Sequence, residues 1–581
     1  MNAKLIAANQ AVCLLLVALF LLFASCNQPD EETDTGISRE LSFSHDSGLY
    51  NAQFSLSISA PEGTDIYYSI DGSIPSKEKV DNTVIYQYSD PIIVKNRNGE
   101  KNILATSANA TQMYMDRDDP RGSVPQVHTP SNAQVPKATV IRAIAVDKRG
   151  KKGKVLTKTY FIGDNLNNYG SNRIISLVSD PYNLVDQNYG IMVRGKSSNR
   201  WPNYNFNQKG ENWEREAYLE LFEGNASSRS VKLSTGVGIR VRGGWSRAAG
   251  QKSFTVYFRE EFGIKNLKNY NLIPGAVKAD GTPVATYKSF MLRNGANDGD
   301  YTKFYDVFLQ DLVSNRGFTT QAGVPCVVYL NGEYWGPYNL QERYSDNHTE
   351  YKYGVTKENV ISYDNGELDD GNPADEALYW DMIEKGKKDM TNQANYDAFC
   401  AVFDIDNFIN YWAAEIFIYN EDWPQNNYRV WRTRTVEPGN PYGDTKWRWQ
   451  MFDTEFALGI YNSGGLTGQA NMDPFAKILN GEHKEHDNNK MFAALLQNQT
   501  FRTKFRTEMT RLCTINFQTK LDSYANTYRP LMGDTDTPGS YFSRWGRPWD
   551  TVYQNKVDDA KKYLNDMKTQ MPTLLNTYCS P

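Results

Sequence analysis

The chain has 581 residues, 40% hydrophobic and 23% charged, which is enough apolar side chain for more than one folded core. A formal net charge of −5, with Lys and Arg dispersed, excludes a general nucleic-acid binder, which needs concentrated positive charge. Only five His are present, and the six Cys are spaced in no zinc pattern, which argues against histidine triads and zinc chemistry.

Residues 1–25 carry one basic side chain, Lys4, then an apolar run over 11–22, then Ala24 and Ser25. Such a stretch reads as an export signal, too short for a membrane-spanning helix. Phe23-Ala24-Ser25-Cys26 resembles a lipobox, with Phe where Leu is usual, and this implies acylation of Cys26 as the new N-terminus. Acyl chains contribute about 0.8 kcal/mol per buried methylene, so several on one residue anchor stably. Residues 26–40, acidic around 30–34, read as a solvated tether. The tether resembles the sorting tag of Bacteroidota-type surface lipoproteins. The expected location is therefore extracytoplasmic, at the outer membrane and on the cell surface, with the membrane reached through the lipid.

Residues 41–163 show short strands and turns. Phe54-Ser-Leu-Ser-Ile-Ser alternates with period two, Ile66-Tyr-Tyr-Ser-Ile runs into the turn pair Asp71-Gly72, and Val140-Ile-Arg-Ala-Ile-Ala-Val is closed by Asp147-Lys-Arg-Gly150. Residues 154–161 are expected as an edge strand, 96–135 as an insertion loop, and no useful helix is expected. The pattern predicts an Ig-like β-sandwich. Residues 66–76 and 140–150 resemble the chitobiase/β-hexosaminidase C-terminal-type domain, which implies an accessory module, a spacer or a glycan binder.

Beyond this, mixed α and β texture fills 170–581. Strands are expected at Arg173, Ala217, Val237 and Lys252, an amphipathic helix over 301–316, a hairpin turning at Asn331-Gly332, and a long apolar helix over 404–419. Asp422-Trp-Pro-Gln-Asn-Asn427 follows that helix, and Asp453-Thr-Glu455 follows an aromatic strand. Trp545, Trp549 and a helix over 555–567 predict a helical C-terminal segment. The acidic run 364–371 reads as a solvated loop, and His483-Lys-Glu-His486 likewise.

Phosphoryl transfer needs a cation on the phosphates, a carboxylate at the acceptor, and oxygen ligands for a divalent metal. Asp422 and Asn427 have the D-x-x-x-x-N spacing of a kinase catalytic loop, Asp453 follows a hairpin later, and Lys252 precedes the first amphipathic helix. With Gly190-Ile-Met-Val-Arg-Gly, Ile239-Arg-Val-Arg-Gly-Gly, Gln251-Lys-Ser-Phe, Tyr329-Leu-Asn-Gly-Glu-Tyr-Trp-Gly-Pro-Tyr, Leu340-Gln-Glu-Arg and Phe452-Asp-Thr-Glu-Phe-Ala-Leu-Gly, the chain resembles the CotH-type spore-coat kinase family. The fold implied is α+β: an Ig-like β-sandwich followed by a large atypical protein-kinase-like α+β domain.

The resemblance implies ATP and Mg2+ or Mn2+ as cofactors and a protein hydroxyl as acceptor. It makes Asp422 the catalytic carboxylate, Asn427, Asp453 and Glu455 metal ligands, and Lys252 a contact to the phosphates. Arg240 and Arg242 are expected near phosphate and Glu342 at the nucleotide rim. The family's usual D-x-D is here Asp453-Thr-Glu455, and no clear Gly-rich loop is present. Other readings stay open: Asp422 and Asn427 as turn caps, Lys252 on a solvated face, Asp453 paired with Arg429 or Arg448. Free ATP is scarce outside the cell, so the alternative function is a catalytically inactive kinase-like fold serving adhesion or glycan binding.

Overall fold

The structure is a computed structural model describing residues 40–580 except 80–83, 117–118, 120–126, 164–165, 197–199, 226–227, 462–472 and 547–549. Cys26, the signal, most of the tether and Trp549 lie outside the described residues.

The first domain is layered as the alternation requires. Phe54–Leu56 pairs with Ile92–Val94 and Ser42–Phe43 with Ile58–Ser59. A five-stranded sheet runs in the order Gly48–Tyr50, Leu156–Ile162, Thr139–Asp147, Thr64–Ser69, Ile85–Gln87. Leu56, Ile58 and Val94 meet Ile66, Ile141 and Tyr160 in a core of their own. Two expectations are corrected. The strand expected at the edge, Leu156–Ile162, is interior, because Gly48–Tyr50 adds to it in parallel. The insertion holds a helix, Ser107–Met113, whose N-cap Thr106 accepts from the Asn109 N–H at 3.2 Å.

The insertion also leaves its own domain: Leu104, Ala105, Met113, Tyr114 and Met115 belong to the large domain's core. Glu333 accepts from the N–H groups of Ile103, Leu104 (3.2 Å) and Ala105 (2.8 Å). Thr159 and Ser176 share a hydroxyl hydrogen bond at 2.8 Å, and Asn331 donates to the Asp71 carbonyl at 2.9 Å. The domains therefore share one continuous packed junction.

The large domain opens with a closed barrel in the order Arg173–Val178, Arg215–Glu223, Ser230–Arg242, Ser253–Tyr257, Ser289–Arg293, Glu333–Glu342, Gly323–Leu330, closed by parallel pairing of the first and last. The hairpin turns at Asn331 (φ 49°) and Gly332 (φ 79°), the left-handed pair that a two-residue hairpin demands. The amphipathic helix is Tyr305–Leu312, shorter than the sequence suggests, because the buried Asp298 carboxylate accepts from the N–H groups of Thr302 (2.8 Å) and Tyr305 (2.9 Å) and holds the preceding turn.

A second sheet, in the order Glu367–Asp370, Val360–Asp364, Arg429–Thr433, Arg448–Gln450, packs with the buried helix Ile405–Ile418. The helix Gln499–Cys513 packs on Ile405–Ile418, Gln518–Met532 packs on Tyr305–Leu312 and the barrel strand Glu333–Glu342, and Asp550–Tyr578 lies against both. Among the described residues no helix is long and apolar enough to cross a membrane, and Cys326, Cys400, Cys513 and Cys579 are free.

Candidate active site

The helix Ile405–Ile418 ends on Tyr419 in the left-handed conformation (φ 49°), which turns the chain out into the loop carrying Asp422 and Asn427. Lys477, from the helix Pro474–Asn480, fixes that loop by donating to the carbonyls of Asn420 (3.1 Å), Glu421 (2.7 Å) and Trp423 (3.2 Å). Burial lowers the Lys477 ammonium to about 8. Asp422 accepts from the side-chain amides of Asn426 (3.0 Å) and Asn427 (3.2 Å), and the Asn427 amide also reaches the Asp453 carbonyl at 3.4 Å. Burial raises Asp422 above the ordinary carboxylate range, although the Asn426 amide opposes it; the nearby Asp453 charge adds to the rise. Asn427 (φ 56°) and Asp453 (φ 58°) both hold left-handed backbone, strain that survives only where surrounding structure enforces it.

Asp453 pairs with neither arginine weighed from sequence. Arg429 binds Asp369 (2.7 Å) and Asp370 (3.0 Å), and Arg448 binds Asp444 (2.8 Å) and Asp404 (3.1 Å). The partner is Arg293, at 3.0 Å from Asp453 Oδ1, which also contacts Glu455 and lies 3.8 Å from Asp306. Burial pushes Asp453 up, but the Arg293 charge prevails and holds it below its ordinary value; desolvation holds Glu455 well above its own. Asp306, in the first turn of Tyr305–Leu312, accepts from the Thr454 N–H at 2.9 Å and the Gln341 amide at 2.7 Å. Strand, helix and the Asp453 segment are thus knotted at one buried point.

Asn427 and Asp453 stand where two cavities meet. One, of about 660 Å³, is lined by Arg240, Arg242, Arg293 and Arg343, with Gly243 and Gly244 at the turn after Ser230–Arg242. The other, of about 750 Å³, is lined by Asp300, Asp422, Asn297 and the rings of Trp245, Tyr301, Phe456 and Tyr461. The Arg242 guanidinium makes no hydrogen bond or ion pair among the described residues. Burial, with repulsion from Arg343 and Arg293, lowers it to about 10. Arg240 is steadied by Glu214 at 3.4 Å and by the Tyr257 ring at 4.2 Å. The acidic run expected as a solvated loop is a hairpin turning at Asn365-Gly366, with Asp364, Glu367 and Asp369 on the arginine cavity.

The structure brings Asp422, Asn427, Asp453, Arg240 and Arg242 together and places three other expected residues elsewhere. Lys252 is fully buried: its ammonium donates to the carbonyls of Met113 and Arg247 and lies 3.7 Å over the Phe206 ring. The strand Ser289–Arg293 intervenes between Lys252 and the helix, and its Arg293 is the cation that approaches Asp306 in the helix's first turn. Glu342 is buried away from both cavities, accepting from the Ala322 N–H at 2.9 Å and facing His348 at 3.3 Å. Glu455 is fully buried against Arg293 and does not line the cleft. Sequence reasoning missed Arg293, Arg343 and Lys477; the first could have been found from the short apolar run Phe290-Met-Leu ending in Arg293 before Asn294-Gly295.

Among the described residues no group of three or more His, Cys, Asp or Glu is arranged to hold a metal. Asp453 and Asn427 offer hard oxygen donors at the cavity junction. One carboxylate completed by phosphate oxygens and water is a usual magnesium arrangement.

A family model described as CotH kinase protein matches residues 239–571, and one described as Fn3 associated matches residues 54–160, within the sandwich compared above with the chitobiase C-terminal type. No curated protein matches the chain.

Proposed function

We propose that this chain, which belongs to the CotH kinase protein family, is a phosphotransferase that binds ATP with Mg2+ or Mn2+ and phosphorylates a protein hydroxyl. The observation that carries the reading is the partition of charge about Asp453. On one side Lys209 and the guanidinium groups of Arg240, Arg242, Arg247, Arg293 and Arg343 outnumber the carboxylates of Asp364, Glu367 and Asp369, and the Arg242 guanidinium makes no ion pair among the described residues. Carboxylates and aromatic rings without a cation line the other side. Polyphosphate is the ligand that crowded guanidinium groups favour, and its bidentate geometry suits them. The opposite cavity suits an acceptor that is neutral or cationic and repels an anionic one.

Asp422 is the acceptor-side carboxylate. Its raised affinity for a proton suits it to take the hydroxyl proton as the new oxygen–phosphorus bond forms and the bond to the leaving diphosphate breaks. Asn427 and Asp453 would hold the divalent ion, whose positive charge neutralises phosphate oxygens when bound. Arg242 and Arg343 would orient the phosphates, and Arg293 sets the position of Asp453. An acyl anchor on Cys26 would place this cleft at the outer membrane surface, with the membrane as a permanent partner.

Calorimetry of the purified chain with ATP and Mg2+ or Mn2+, beside Asp453→Ala, tests the reading. Micromolar to millimolar binding that the substitution abolishes is expected. Absence of both nucleotide and metal binding in the unaltered chain would end it, leaving the adhesion reading.

A further inference from the structure

A fully buried lysine without a carboxylate partner is costly unless its donors are used, because an ammonium taken out of water loses its hydration. Lys252 spends its donors on two carbonyls from different domains. Met113 ends the helix of the first domain's insertion, and Arg247 lies in the turn Trp245–Ala248, which carries Trp245 and Ser246 onto the cleft. A second contact ties the same two segments. A Cβ built on Gly250 would lie 2.4 Å from the Tyr114 ring, so the insertion packs onto glycine because no side chain fits between them. Arg247 pins the turn from its far side through the carbonyls of Gly243, Phe206 (2.7 Å) and Gln208 (3.1 Å). Beyond Tyr114, Met115 lines the acceptor cavity, and Asp116 pairs with Arg194.

We infer that Lys252 is a positioning residue which locks the Gly243–Gly250 turn over the cleft to the insertion arm of the first domain, so that Met115 forms a specificity-determining wall of the acceptor cavity. The first domain is then a constituent of the catalytic unit. This deepens the phosphotransferase reading of the same cleft: the coupling of the two segments stands without that reading, while the acceptor role of Met115 and the binding readout rest on it.

The full chain carrying Lys252→Met, and separately Gly250→Ala, tests this. Lys252→Met removes the buried charge but leaves the Met113 and Arg247 carbonyls without their donor, so a merely structural lysine lowers the melting temperature and leaves nucleotide binding untouched. For Lys252→Met the expected result is a melting temperature lowered by a few degrees, amide exchange accelerated together over 106–116 and 243–250, and a Kd for magnesium ATP raised about tenfold. Gly250→Ala should open the same two segments without touching the charge, and serves if Lys252→Met fails to fold. Exchange that stays unchanged in the arm, or that rises in one segment alone, overturns the inference. If the unaltered chain binds no ATP, the phosphotransferase reading falls, and the exchange of the two segments decides the coupling by itself.

Discussion

Replacing Arg293 by methionine removes the cation that Asp453, Glu455 and Asp306 share. The guanidinium lies 3.0 Å from Asp453 and 3.8 Å from Asp306. At an effective dielectric near 20, each such contact is worth about 4–6 kcal/mol of Coulomb energy. Desolvation of the guanidinium offsets much of that sum, and removing one partner of a buried pair costs a net ~3–5 kcal/mol. At roughly 2 °C per kcal/mol for a large domain, the melting temperature should fall by about 6–10 °C at pH 8. The deficit should shrink at low pH. In the native protein Arg293 holds Asp453 below its ordinary value, so this contribution is present at neutral pH and is lost as pH falls through the lowered value. Without Arg293, burial raises Asp453 against only the Glu455 hydrogen bond and the Arg242 charge, and burial keeps Glu455 raised, so Arg293→Met loses stability as pH rises. Thermal unfolding followed by near-ultraviolet circular dichroism at pH 5 and pH 8 reads the difference, and Arg293→Met/Glu455→Gln should recover part of it. A deficit equal at both pH values, or no recovery in the double variant, would refute the reasoning.

Asp422→Asn should lower kcat by about 10²–10⁴ while leaving the ATP affinity intact. The acidic limb of the native pH profile should lie above the ordinary carboxylate value of 3.8, because burial raises Asp422; a limb at or below 3.8 would count against it as the base. Lys477→Met should cut kcat about tenfold with little change in ATP affinity, since Lys477 holds loop carbonyls and lines neither cavity; an equal loss in ATP affinity would show that its role is not confined to the loop. Burial pushes Glu415 up to about 8, so its contribution is full below the unfolded value of 4.5 and is lost as pH rises through 8. Glu415→Gln should therefore melt progressively higher than the native chain between pH 6 and pH 9, and a constant difference would show that Glu415 does not titrate there.

Much of the fold is legible in the sequence because its signals are local. Alternation at Phe54–Leu56, the Asn331-Gly332 turn and the apolar face of Ile405–Ile418 each follow from spacing within a few residues. Asp422 and Asn427 were findable for the same reason, since one short loop fixes their distance, and Asp453 was placed by its order after a hairpin. The resemblance to a kinase family rested on motifs of this local kind.

Tertiary structure alone decided which cations serve the cleft. Lys252 and Ser253 are neighbours in sequence, yet Ser253 lines the arginine cavity while the Lys252 ammonium is buried between Met113 and Arg247. No spacing within the chain announces that an insertion 139 residues upstream supplies the carbonyl that receives this ammonium. Glu342 and Glu455 turned away for a related reason: each found a buried cationic or N–H partner brought by another element. A charged side chain goes where its charge is best satisfied in low dielectric, and that place is set by the packing of distant segments. The sequence by itself determined the elements, the loop carrying Asp422 and Asn427, and their order; the close approach of remote segments determined which charges face the cleft and which hold it together.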